Sequence, residues 1–142
     1  MPDAQARKVT HSYTVRYPAH EAREDDPHYK DFDHLRREWS KDPVKWRCWV
    51  GVQRDDFSEC DSEHPLELHH AHLEFAMLNA AYLPWVQRRY PGITDPTKLG
   101  EWVESADNLV VLCQRHHRGH DGAHVASASD YEGILMVRGL IE

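Results

Sequence analysis

The sequence predicts an α+β fold in a single domain, and three observations carry that reading. Two short runs, "LELHH" at 66–70 and "NLVVL" at 108–112, have the length and apolar character of strands. Apolar residues at helical spacing, twice behind an Asp-Pro start, mark helices before, between and after those runs. A chain of 142 residues, 40% hydrophobic with five tryptophans, suits one modest core.

Residues 1–10 read as a polar, flexible tail, which leaves 11–142 as the domain. "HSYTVRY" alternates Tyr13, Val15 and Tyr17 with polar residues, as a half-buried strand does. The charged "YPAHEAREDDP" that follows reads as a loop or arm. Asp26 and Pro27 then suit the N-cap and first position of a helix along which Tyr29, Phe32, Leu35 and Trp39 form a packing stripe. "VKWRCWVGV" alternates again and predicts a strand with Trp46, Cys48, Val50 and Val52 on one face. With "LELHH" as its partner, residues 44–70 make a long-looped antiparallel hairpin. "HLEFAMLNAAYL" is helical by composition, and Pro84 opens a further turn, "PWVQRRY". Asp95 and Pro96 start the next helix. "NLVVL" is a buried strand, and "CQRHHRGH" opens a short helix stopped by Gly119 or Gly122. Ser129 with Glu132 forms a capping box for a helix that ends the chain.

The formal net charge of -7 argues against a tight, non-specific nucleic-acid binder. It does not exclude a nucleic-acid enzyme, because a bound divalent ion and a local basic patch reverse the sign at a site. No apolar run reaches the length of a membrane span, and the N-terminus shows no signal-peptide core, so a cytoplasmic location is expected. Three cysteines, Cys48, Cys60 and Cys113, fit ligation or burial better than a disulfide framework. Twelve histidines are many, and they concentrate between His64 and His124, which points to metal.

The chemistry lies in "LELHHAH" at 66–72 and "DNLVVLCQRHHRGHDGAH" at 107–124. Together these resemble the HNH endonuclease family: a strand ending in a His-His or Asp-His pair, an Asn, then a strand and a helix bearing a last His. The counterparts here are His69–His70, Asn108 and His117, and the match spans 66–120. The wider pattern looks most like the small HNH proteins of actinobacterial phages. The resemblance implies a ββα-metal (His-Me finger) core, formed from 44–72 and 107–124, with a helical insertion at 73–105 and N- and C-terminal helices.

It also implies roles. His69 and His117 would ligate a divalent metal, His70 would be the general base, and Asn108 would tether the loop bearing that base. The expected reaction is metal-dependent hydrolysis of DNA to 3'-hydroxyl and 5'-phosphate ends, with magnesium, manganese, nickel or zinc, and with phage DNA-packaging proteins as possible partners and no membrane. The residue types suit this: histidine exchanges a proton near neutral pH, and neutral imidazole ligates metal. On a regular strand His69 and His70 face opposite sides, so the assignment requires the chain to leave extended geometry there, or His72 to partner His70. The third ligand is His124 or His120, in preference to Asp121.

Cys113-x-x-His116 sits where many members of the family carry Cys-x-x-Cys, and with Cys48 and Cys60 it would make a structural zinc site. Cys48 is equally a buried apolar residue. Arg115 and Arg118 either meet substrate phosphate or favour a helix C-terminus. Trp85, Arg88 and Arg89 read as a solvated helix face in preference to a DNA-contact surface. The rival to the enzyme is a non-catalytic zinc-binding structural or interaction module of a phage, and the acidic balance is its main support.

Overall fold

The structure, a computed structural model, describes residues 5–14, 27–137 and 139–141. Among these residues helices combine with one small antiparallel sheet, which is the α+β class. The strands are β1 (Glu67–His70) and β2 (Leu109–Leu112), and helix α5 (Gln114–Arg118) follows β2 directly. Glu67 pairs with Leu112, Leu68 with Val111, His69 with Val110 and His70 with Leu109.

That register sorts the side chains. Leu68, Leu109 and Val111 lie on one face, under Phe32, Leu35 and Trp39 of α1 (Tyr29–Ser40). The helical stripe therefore packs on the strand alternation, the basic way an α+β layer is closed. Val110 and Leu112 lie on the other face, in a core with Cys48, Val50, Cys113 and Ile134. Between the strands run a 3-10 helix (Phe75–Ala80), α3 (Leu83–Arg89) and α4 (Pro96–Val103). They share a second core of Val86, Ile93, Leu99 and Val103. Asp95 caps α4 by accepting from the Lys98 amide, with Pro96 at its start, as the Asp-Pro signal predicts.

Several expectations are corrected. Residues 44–52 form no strand. Cys48 is the N-cap of α2 (Trp49–Arg54), and the hairpin 44–70 is replaced by the β1–β2 pair. The alternation misleads because its members do not share a face: Trp46 joins the α1 side, Cys48 and Val50 the opposite core, and Val52 is exposed. Residues 72–83 do not make one α-helix; only the 3-10 segment forms before Pro84 enters the first turn of α3. The last helix, α6 (Ala128–Gly133), is capped by Ser127 rather than Ser129. Ser127 Oγ accepts from the Asp130 amide, as an N-cap does, and donates to the Asp130 carboxylate, a side-chain pair in place of the expected Ser129–Glu132 capping box. This helix stops at Gly133, where Arg54 caps the Ile134 carbonyl from its Nε at 3.0 Å and from its Nη2. Residues 11–14 are in no strand and Tyr13 is exposed, while Val15, Tyr17 and Asp26 lie outside the described residues; α1 nevertheless starts later than the Asp26-Pro27 signal predicts, with His28 at its N-cap and Pro27 in the turn before it. Among the described residues no helix is long and apolar enough to cross a membrane.

Candidate metal centres

Among the described residues, two groups of side chains able to hold a metal ion meet at α5. The first is Cys48, Cys60, Cys113 and His116, whose ligand atoms all lie within 4.8 Å of one another. Cys48 opens α2, Cys60 comes from the loop before β1, Cys113 is the N-cap of α5 and His116 is on that helix. His116 Nδ1 stands 3.2 Å from Cys113 Sγ, 3.6 Å from Cys48 Sγ and 3.8 Å from Cys60 Sγ. A tetrahedral zinc with ordinary Zn–S and Zn–N bonds requires a sulfur–nitrogen edge of about 3.6 Å. The four side chains therefore have the spacing and chemistry for a metal such as zinc.

Crowding three thiols in the core has an electrostatic signature. Cys113 shares a hydrogen bond with Cys48, which draws Cys48 down to about 7 and pushes Cys113 up to about 11. Burial raises Cys60. One thiolate forms readily and its neighbours resist, the situation a bound cation relieves.

The second group is His69, His117 and His124. His117 Nε2 and His124 Nε2 are 3.0 Å apart. Metal–nitrogen bonds of ordinary length give edges of about 3.0 to 3.4 Å, so the spacing suits a shared ion as well as it suits a hydrogen bond. His69 meets both other rings edge-on, and its buried Nδ1 has no hydrogen-bond partner among the described residues. Burial first, then the neighbouring imidazoles, push His69 down to about 3; burial and His124 likewise lower His117. Neutral imidazole is the ligating form. Glu67 Oε2 lies 3.6 Å from His117 Nδ1, longer than a hydrogen bond, on the ring edge away from His124.

Chain geometry decides the third histidine. After α5 the backbone doubles back, so that the Ala123 and His124 amides donate to the His116 and His117 carbonyls. The return is too tight for a side chain: a Cβ on Gly119 would fall 2.5 Å from the Arg115 carbonyl oxygen, and one on Gly122 2.8 Å from it. His124 is thereby folded onto His117. His120 is exposed and outside the group, and Asp121 is engaged by Arg115.

The cleft beside this group has a volume of about 410 Å³ and is bordered by His69, His70, Glu74, His117, Arg118 and His124. His69 and His70 both remain in β1 and face opposite sides, yet both reach the cleft at the strand end. No departure from extended geometry is needed. The His70 ring stacks on Phe32, and its Nε2 lies 3.2 Å from Glu104 Oε1. His72 is not its partner; it packs on Trp102 and Tyr90.

Asn108 is fully buried at the start of β2. Its Oδ1 accepts from the His72 and Leu73 amides, and its Nδ2 donates to the Leu73 and Val103 carbonyls. It thus ties the chain after His70 to the end of α4. Each nitrogen of the Arg115 guanidinium is engaged within the protein: its Nε and Nη2 hold Asp121 and its Nη1 donates to the Glu59 carbonyl. Arg118 is exposed at the cleft, paired with Glu67. Trp85, Arg88 and Arg89 are exposed on α3.

Sequence reasoning misses three carboxylates here. Glu67 shares a strand face with His69, a signal that period-two alternation contains. Glu74 stands between His124 and His70, at 3.8 and 3.9 Å. Glu104 comes from a distant helix end and carries no motif. No family model, curated protein or solved structure matches this chain.

Proposed function

We propose that the protein is a metal-dependent endonuclease of the HNH type, acting on DNA phosphodiester bonds. The observation that carries this reading is the group His69, His117 and His124 at an open cleft with His70 beside it. In this reading β1, β2 and α5 form the ββα-metal core, and the Cys48, Cys60, Cys113 and His116 group is its structural zinc site. A divalent ion bound by the three histidines would neutralise charge on the phosphate and the leaving oxygen. All-nitrogen ligation favours zinc, nickel or manganese over magnesium. His70 takes a proton from the attacking water, Asn108 fixes the loop that follows His70, and Arg118 offers a cation at the rim of the cleft.

A second reading has its own support. A buried Cys3His group together with a net charge of -7 also describes a zinc-stabilised module that binds another protein. The two separate on plasmid nicking by wild type and His70→Ala, in EDTA and with Mg, Mn, Ni or Zn, with bound metal counted by mass spectrometry and an RNA substrate run in parallel. The nuclease reading expects metal-dependent nicking that falls by about 100-fold or more in His70→Ala, with metal content kept. No cutting by either protein with any metal, while both retain zinc, would hand the conclusion to the structural module.

A further inference from the structure

We infer that Glu104 is the positioning residue for His70, setting which ring nitrogen faces the reacting water; this rests on the reading of His70 as the base. Glu104 is the C-cap of α4 and is 2% exposed. Its carboxylate stands 3.2 Å from Nε2 of a histidine whose side chain is 8% exposed. Ionised, it offers acceptors alone, so the ring nitrogen that faces it carries the hydrogen. Nδ1 is then the basic nitrogen. The carboxylate on that side, Glu74, is 3.9 Å away, too far for a direct hydrogen bond that would occupy the lone pair.

The surroundings hold this arrangement. Phe32 stacks on the imidazole at 5.6 Å and 16°, which leaves the ring little freedom to flip. Asn108 registers the two partners against each other, since it binds His72 and Leu73 just after His70 and Val103 just before Glu104. The helical insertion thus delivers an orienting group to the base, the same division of labour as an acid that holds a catalytic imidazole in one tautomer.

The test uses the full, metal-loaded chain, with two readouts. Nitrogen-15 NMR of the ring reports the His70 tautomer, and plasmid nicking gives kcat and KM. Wild type is expected to show hydrogen on Nε2. Glu104→Gln, nearly isosteric, should scramble that tautomer and lower kcat by about 100-fold, with KM and metal content little changed. Glu104→Asp should recover part of both. Hydrogen on Nδ1 in wild type, or kcat within about threefold of wild type in Glu104→Gln, would overturn the inference. Should wild type itself not cut, the nuclease reading fails separately. The tautomer then decides the positioning alone: a shift on Glu104→Gln supports it, and no shift overturns it. Should Glu104→Gln not fold, the wild-type tautomer and the Glu104→Asp variant decide the matter in the same way.

Discussion

Replacing Asn108 with Ala removes two polar atoms that each make two hydrogen bonds in the fully buried interior. At about 1 kcal/mol net per bond, the loss sums to about 4 kcal/mol. Part of that returns, because His72 is exposed and its amide can find water once the loop loosens. Val103 is fully buried, so its carbonyl has no such recourse. A net cost of about 3 kcal/mol follows, which for a domain of this size lowers Tm by about 10 °C. Sheet pairing should survive, since the Ala71 amide bonds to the Asn108 backbone carbonyl, which any residue supplies. Thermal melts of the metal-loaded chain measure the global term. Amide exchange at His72 and Leu73, compared with Leu112, measures the local one. Asn108→Asp should not rescue, because it loses both donors and buries a charge. A Tm within about 3 °C of wild type, with the His72 and Leu73 amides still protected, would refute the premise that these bonds hold the loop.

Two further outcomes are expected. Cys113→Ser should lose tightly bound zinc from the Cys3His group, by mass spectrometry, and melt well below wild type in the same buffer; full zinc occupancy in the variant would show that Cys113 is no ligand. Acid should weaken the chain in part through Asp121. Burial alone would raise that carboxyl, but the Arg115 hydrogen bonds and charge outweigh it and hold Asp121 below the usual range. Its stabilisation is therefore present above the ordinary carboxylate range and is lost as pH falls through the lower folded value. Urea unfolding of wild type and Asp121→Asn should show a gap that narrows on acidification, and a gap that does not change with pH would show that Asp121 contributes nothing to acid sensitivity.

The sequence makes β1, β2, α4 and α5 legible because each carries a local signal that its tertiary setting does not contradict: a short apolar run for the strands, an Asp-Pro start for α4 and a glycine stop at Gly119 for α5. Residues 44–52 are illegible because a short apolar run fits strand and helix alike, and Cys48 is drawn to its position by partners far along the chain. His69, His117 and Asn108 can be singled out from their pattern, whereas choosing His124 over His120 requires the turn geometry imposed at Gly119 and Gly122. Glu104 is out of reach for the plainest reason: its partner is on another element, and no spacing rule connects residue 104 to residue 70.

The two metal-competent groups meet on one short helix, and that makes them unequal. His116 and His117 are successive residues, so their side chains diverge by about 100° around α5, one toward the sulfurs and one toward His69 and His124. A helix of five residues has no stability of its own. It is held at its start by Cys113, whose sulfur accepts from the His116 amide, and along its body by the returning chain at Ala123 and His124. Loss of the Cys3His group therefore loosens the first turn of α5, on which the placing of His117 depends, and leaves only the returning chain to hold it. Loss of His124 removes a side chain while leaving the backbone return and the sulfur group in place. Cys113→Ser should accordingly weaken metal binding at the histidine group too, whereas His124→Ala should leave the sulfur site loaded. The direction of that dependence follows from which cluster anchors the helix and which one only uses it.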